Sequence, residues 1–389
     1  MRLPTEKMKK IQRTGIRKIF DRATAYENEG RKIYHMEIGR PDFDTPDAVK
    51  EAAIRSLKAG NVHYTSNYGL ESLREAIAGK LVSENKIDAD PERELIVTAG
   101  AVEALALSTM ALLEPEDEVL VPNPCFTSYE NQVIHPCGVP VPVPLRAENG
   151  FMPALEDLEA RLTAKTRMLI INTPHNPTGV VYSRKVMEQL ASFAVNNDLL
   201  VVSDECYEKI IFDREHVSMA SLPGMKERTI TVNSGSKTFS MTGWRVGFVH
   251  SSAEIIDYML RVHQDLVICP TAFAQEGAAY AWKNTAALAA PMVEAFKQRR
   301  DLVIEHLDQI KNLDYVRPEG GFYVFPSIGK LGLGDWEFCH YLLDEAGVAV
   351  VPGLAFGQFG EGCFRLAYSC SMEDLKDGLG AMKKALEKL

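Results

Sequence analysis

The chain of 389 residues lacks paired cysteine motifs, a basic excess and any long apolar run, and each absence narrows what it does. Its seven cysteines, at 125, 137, 206, 269, 339, 363 and 370, include no Cys-x-x-Cys pair. Neither a zinc site nor a disulfide framework is indicated, and no metal is expected. An odd, dispersed set of thiols fits a reduced, cytoplasmic setting. The formal net charge of −10 argues against nucleic-acid binding, which wants a basic surface. No stretch approaches the roughly 18 apolar residues of a membrane span, and residues 1–10 hold no apolar core of signal-peptide type, so no membrane partner is expected. Internal repeats and low-complexity segments are also missing. What is present, 46% hydrophobic and 25% charged residues, is ordinary for a globular protein of one large domain or two.

The most informative stretch is Thr231-Val-Asn-Ser-Gly-Ser-Lys-Thr-Phe-Ser-Met-Thr-Gly-Trp-Arg-Val-Gly-Phe248. An apolar strand breaks into small polar residues around Lys237, and Arg245 precedes a second apolar run. A lysine just past a strand end, among Ser and Gly, can be reached by a small molecule. Ser234 and Ser236 offer hydroxyl donors, and Arg245 a fixed fork of donors for a phosphate. These parts suit condensation of the Lys237 amine with a phosphate-bearing aldehyde, pyridoxal phosphate. The plain alternative is an exposed lysine in a Gly/Ser turn beside a structural arginine.

Residues 5–29 are expected to form a helix or two and Lys32–Ile38 a short strand, and an α/β rhythm begins at Glu94. Glu94–Val97, Glu118–Val121, Val139–Leu145, Met168–Ile171, Asp198–Val202 and Arg228–Val232 are expected strands, with the proline-rich Val139–Leu145 at an edge. Gly100, Ala101 and Val102 open a helix after the first of these, where backbone N–H groups and the helix dipole can face an anion. Phe126 follows the next strand. In Asn172-Thr-Pro-His-Asn-Pro-Thr-Gly179 the flanking prolines hold Asn176, an amide donor, at little entropic cost, although a structural turn would use the same residues. Asp204 and Glu205 both follow a buried-looking strand, where a carboxylate can keep a pyridine nitrogen protonated, and Tyr207 lies three residues on. Open α/β sheets bind ligands at the carboxyl ends of their strands, and this series ends at Lys237. Farther on, 253–310 is expected to be helical. Gly320–Phe325, Val348–Val351 and Gly362–Ser369 are expected strands of a smaller unit, followed by a closing helix capped at Ser371. Gly329–Gly334 and Asp335–His340 carry no nucleotide or metal spacing and are expected to be surface turn and helix.

From about residue 36 to residue 369 this pattern resembles the class I and II aminotransferases, the aspartate aminotransferase-like pyridoxal-phosphate enzymes of fold type I. The motifs that carry the likeness are Tyr64-Thr-x-x-x-Gly69, Asn172–Gly179, Ser203-Asp-Glu-x-Tyr207 and the lysine stretch. The resemblance implies an α/β fold with a mostly parallel seven-stranded sheet flanked by helices, over residues 46–285. A smaller α+β domain is implied from both chain ends, 1–45 and 286–389. It selects Asp204 over Glu205, stacks Phe126 on the cofactor ring, and aims Tyr207 and Asn176 at the ring phenolate oxygen. Tyr64 would reach the cofactor phosphate of a neighbouring subunit, which implies a homodimer with shared active sites. Gly39, in the turn-rich Gly39–Pro46 loop, would lie over the substrate carboxylate, and Arg365 would clamp it. Ile16 would lie near the substrate side chain. For Gly39 a plain connecting turn, for Phe126 a core packing role, and for Arg365 an internal salt bridge stay open.

The implied activity moves an amino group between an L-amino acid and a 2-oxo acid, with Lys237 as general base and acid. A lyase such as a C–S β-lyase would use the same cofactor residues. A transcription regulator would need a DNA-binding domain ahead of Gly39, where only some 40 residues stand, and a dead binding module would not keep every polar group. A dicarboxylic substrate needs a second cation, for which Arg17 and Arg40 are the candidates.

Overall fold

The computed structural model describes residues 5–11 and 15–389. The expected helical stretch over 5–29 consists of Glu6–Lys10 and Gly15–Asn28. Residues 12–14 of that expectation, and 1–4 of the signal-peptide and small-domain expectations, lie outside the described residues.

Twelve strands occur among the described residues. The first, β1 (Tyr34–His35), belongs to a small pair. Seven more form one sheet: β2 (Leu95–Thr98), β3 (Glu118–Asn123), β4 (Val139–Pro144), β5 (Thr166–Asn172), β6 (Leu200–Asp204), β7 (Thr229–Ser234) and β8 (Gly247–His250). Their order is β2-β8-β7-β6-β5-β3-β4, and only β8 runs against the rest. The central strands are apolar on both faces because helices cover both. Leu120, Leu169, Ile171 and Val201 enter one buried cluster, and Val119, Val121, Met168, Ile170 and Val202 the other. Val139-Pro-Val-Pro-Val-Pro144 stands at the sheet edge and pairs only with β3. Its alternating prolines have no N–H to offer a second neighbour.

This topology sets the site. Six strands end on the same rim, and the antiparallel β8 begins there. In sheet order the rim carries Gly100 after β2, Arg245 before β8, Lys237 after β7, Asp204 at the end of β6, Asn176 after β5 and Phe126 after β3.

The remaining strands build the smaller unit. β11 (Val351–Pro352), β12 (Phe364–Ala367) and β9 (Tyr323–Val324) form an antiparallel sheet in that order. β1 pairs in parallel with β10 (Val348–Ala349). The expected strand 348–351 is therefore two strands, broken at Val350, that serve different sheets. The expected strand at 32–38 shrinks to two residues, because the Glu37 and Ile38 carbonyls bond to side chains instead of a ladder, and the one at 320–325 shrinks to Tyr323–Val324. One buried cluster joins both chain ends through Ile19, Ile33 and Met36 packed with Phe296, Leu342 and Leu379. The long helix Thr285–Leu307 and the closing helix Met372–Leu386 flank it, the latter capped where Ser371 Oγ accepts the Asp374 N–H at 3.0 Å. The segment expected to be surface at 335–340 is corrected. The helix Asp335–Ala346 buries Phe338 and Cys339, and Asp335 accepts the N–H groups of Leu354 and Gly362. Among the described residues, no helix is long and apolar enough to cross a membrane.

Candidate active site

A cavity of about 250 Å³ opens at the rim, between the large sheet and the smaller unit. Its lining includes Ile16, Gly39, Ala101, Val102, Phe126, Asn176, Asp204, Tyr207, Ser234, Ser236, Lys237, Arg245 and Arg365. Sequence reasoning named all of these. Gly100 and Tyr64 were also named and do not line it.

Lys237 sits in the single turn Gly235–Thr238 directly after β7. Its Nζ donates to the Gly39 carbonyl at 2.6 Å. Burial lowers its pKa to about 8, helped by Arg365 and Arg245 and opposed by Cys206 and Asp204. An amine near neutrality is a usable nucleophile and base at physiological pH.

Asp204 is 6% exposed. Its Oδ2 accepts the Tyr129 hydroxyl at 2.7 Å and its Oδ1 the Cys206 N–H at 3.1 Å. Burial raises its pKa, and these two bonds pull it back. Glu205 points elsewhere, to Ser203, Ser218 and His216. With Glu208 it forms a buried group whose charge the Lys80 ammonium meets directly, joined by Asn85 and Asn233. The position next to the strand end thus separates a site carboxylate from a structural one.

Asn172 fastens the loop after β5. Its Nδ2 donates to the Asp204 carbonyl at 2.9 Å, and its Oδ1 accepts the Asn176 N–H at 2.8 Å. The Asn176 side-chain oxygen accepts from Arg365 Nη1 at 3.1 Å, which leaves its amide N–H₂ as the donor. Tyr207 shares a 2.8 Å hydroxyl–hydroxyl bond with Tyr323, and burial holds both phenols above their ordinary range. Arg365, 2% exposed, also donates to the Glu37 carbonyl at 2.6 Å and lies over the Tyr323 and Phe356 rings. Its Nε has no partner, and among the described residues no carboxylate forms an ion pair with it. The internal salt bridge left open above is therefore not found.

At the other end, the helix Ala101–Leu112 starts with the N–H groups of Ala101 and Val102 outside its own ladder. The Gly100 N–H bonds to the Thr98 carbonyl at 2.8 Å, so Gly100 shapes this cup without lending it a donor. Gly100 has φ +83°, and a Cβ there would lie 2.5 Å from Nη2 of Arg245. Arg245, itself in the left-handed region at φ 54°, donates to the Ala99 carbonyl at 3.0 Å. Glu103 reaches back to the Ala99 N–H and is held by His263 at 2.6 Å. Phe126 meets Tyr129 edge-to-face at 5.5 Å.

Tyr64 is 82% exposed. Arg17 pairs with Asp21 at 3.0 Å on the surface, and Arg40 is exposed; neither lines the cavity. Sequence reasoning missed Tyr129, Asn172, Cys206 and Tyr323, all of which line it. Tyr129, one helical turn past Phe126, was the one with a local signal.

Residues 31–382 match the family model for aminotransferase class I and II. The chain is 42% identical to aromatic-amino-acid aminotransferase 2 of Thermococcus litoralis, over 98% of each chain. It is 44% identical to an aspartate aminotransferase of Pyrococcus abyssi, again over 98% of each. Among solved structures, the aspartate aminotransferase of Thermus thermophilus with maleate superposes with a TM-score of 0.94 at 37% identity, covering 99% of this chain and 100% of that one.

Proposed function

The chain belongs to the class I and II aminotransferases and moves an amino group between an L-amino acid and a 2-oxo acid, and we propose that it does so with pyridoxal phosphate on Lys237. The observation that carries the proposal is the set of groups gathered on one rim. A lysine amine with a pKa of about 8 stands between an anion cup and a buried carboxylate. The residues present fit such a molecule at each end. The free N–H groups of Ala101 and Val102, with Ser234, Ser236 and Arg245, would take the phosphate. Asp204 would take the ring nitrogen, Asn176 and Tyr207 the phenolate oxygen, and Phe126 the ring face.

When bound, pyridoxal phosphate supplies an aldehyde that takes up the amino group and a ring that accepts electrons as the α-proton leaves. The protein's own part follows from the geometry. Arg365 would take the α-carboxylate, with Asn176 and the Tyr323 ring holding its guanidinium in place. Lys237 would take the α-proton as base and, as acid, return it two atoms along, to the carbon that the aldehyde supplies. Tyr129 and the Cys206 N–H favour the charged form of Asp204 against the burial that raises its pKa.

Three cations line the cavity, Lys237, Arg245 and Arg365, and each already has a task. The described residues of one chain leave a side-chain carboxylate without a counter-charge. That supports a donor with an apolar side chain, next to Ile16. The exposed Tyr64, with Ile54, Leu57, Val62, Leu266 and Ile268 also exposed, supports a homodimer in which Tyr64 enters the neighbour's site. The buried cluster that joins both chain ends supports a division into 46–285 and the two ends together. Seven free cysteines support a cytoplasmic setting.

The test is the absorption spectrum of the purified protein with pyridoxal phosphate, while single amino acids are added without any 2-oxo acid. A band from bound cofactor that changes with phenylalanine or leucine, with release of the matching 2-oxo acid, is the expected result. Free ammonia with pyruvate, or a thiol, in place of the 2-oxo acid that matches the added amino acid would mean a lyase. No band in wild type, or an unchanged rate in Lys237→Ala, would overturn the proposal.

A further inference from the structure

The segment from Met36 to Thr45 forms a strap that lines the cavity at Gly39, and its fastenings are uneven. At its start, four successive carbonyls are each taken. Met36 accepts the Ala367 N–H at 2.8 Å, Glu37 accepts Arg365 at 2.6 Å, Ile38 accepts the Ser369 hydroxyl at 2.8 Å, and Gly39 accepts Lys237 at 2.6 Å. At its end, the Phe43 carbonyl accepts the Ser240 hydroxyl, and Thr45 Oγ1 donates to the Ser240 carbonyl at 2.7 Å and accepts Trp244 Nε1 at 3.0 Å. The strap thus ties the carboxylate clamp to the lysine segment.

Between these ends one side-chain fastening is found among the described residues. Arg299 Nη1 and Nη2 donate to Asp42 Oδ1 and Oδ2 at 2.7 and 2.8 Å. Two parallel charge-assisted bonds fix both distance and plane. Arg299 is 6% exposed, and its guanidinium lies over the ring of Phe296 and over that of Phe43, which belongs to the strap itself. It stands on the long helix Thr285–Leu307, and the next residue, Arg300, turns to Asp213 and Asp301. Gly39 has no slack in the other direction, because a Cβ there would overlap the Tyr323 hydroxyl that bonds Tyr207.

We propose that Asp42 and Arg299 form a latch that positions the strap, and through the Gly39 carbonyl sets where the Lys237 amine meets a substrate held by Arg365. They are positioning residues, since neither lines the cavity. The latch presupposes the roles given above to Lys237 and Arg365.

The test uses Asp42→Asn, Arg299→Gln and Arg299→Lys. Steady-state rates with the wild type's best amino-acid donor are expected to show KM raised about tenfold for Asp42→Asn and Arg299→Gln, with kcat changed less than about threefold. Arg299→Lys, which keeps the charge without the fork, falls between them and wild type. In cofactor-free protein, amide hydrogen exchange is expected to quicken over 39–45 and to stay unchanged in β5, β6 and β7. Wild-type KM and wild-type exchange in Asp42→Asn would overturn the latch. Exchange that quickens throughout the molecule would overturn it too, since the pair would then only hold the fold. Lys237→Ala is the control: if it still transaminates, the site assignment fails. The exchange result, read without cofactor, judges the strap separately.

Discussion

The Tyr129 hydroxyl donates to Oδ2 of Asp204 at 2.7 Å, and both side chains are buried. Burial alone would push Asp204 towards its neutral form, which could not keep a ring nitrogen protonated. Tyr129 opposes that. In Tyr129→Phe the Asp204 pKa therefore rises further, and the acid limb of the pH–rate profile moves to higher pH. A hydrogen bond to a charged group contributes about 1.5–3 kcal/mol, so kcat/KM is expected to fall about 10- to 100-fold at neutral pH. A profile that keeps its acid limb in place would show that Tyr129 does not tune Asp204.

Lys237 is legible in the sequence and Tyr323 is not, for a physical reason. Site residues at strand ends follow apolar runs, and the runs mark the rim because a sheet covered on both faces must be apolar throughout. Lys237, Asp204, Asn176 and Phe126 each carry that mark. Tyr323 does not. It comes from the smaller unit, 116 residues beyond its partner Tyr207, and sits in a strand of two residues. Nothing local distinguishes a tyrosine that meets another tyrosine across such a distance. The same holds for the break at Val350, since one backbone serves two sheets there and only tertiary register decides where it divides. Gly100 shows a finer limit. The glycine turn was visible, but whether its N–H faces an anion or closes its own turn depends on a bond to Thr98.

Arg365 is buried without an ion-pair partner among the described residues, an arrangement that stability alone does not favour. Its fork is held by Asn176, Glu37 and the Tyr323 ring. Arg365→Lys keeps the charge and loses the paired geometry. We expect KM for the amino acid to rise about 100-fold, in line with truncating a desolvated charge pair, with the bound-cofactor spectrum unchanged. Equal losses of KM and of cofactor binding would mean that Arg365 supports the cavity as a whole.

The pair His35–Glu37 makes folding depend on pH. Its hydrogen bond to Glu37, aided by Glu27, raises the His35 pKa to about 9 despite burial. A raised histidine pKa adds stability in full below the unfolded value, near 6.5, and loses it as pH rises through 9. After discounting for partial exposure, the loss is on the order of 2 kcal/mol. Urea midpoints at pH 6 and pH 9.5 should differ for wild type by more than for His35→Gln. If the two proteins show the same difference, the pair does not carry this linkage.

Tyr64 is 82% exposed and stands off the cavity of its own chain. A tyrosine so exposed has no packing role to lose, so Tyr64→Phe should fold normally and, alone in a dimer, weaken phosphate binding. If it acts across the interface, two damaged proteins can repair each other. In a hybrid of one Tyr64→Phe protomer and one Lys237→Ala protomer, one site collects both changes and the other collects neither. Random reassociation makes half the dimers hybrids, so about a quarter of wild-type activity is expected, measured at a pyridoxal phosphate concentration where Tyr64→Phe alone is nearly empty. Activity no higher than the sum of the two parents would place Tyr64 outside the partner's site, and would leave the Ala101 and Val102 amides, Ser234, Ser236 and Arg245 to hold the phosphate within one chain.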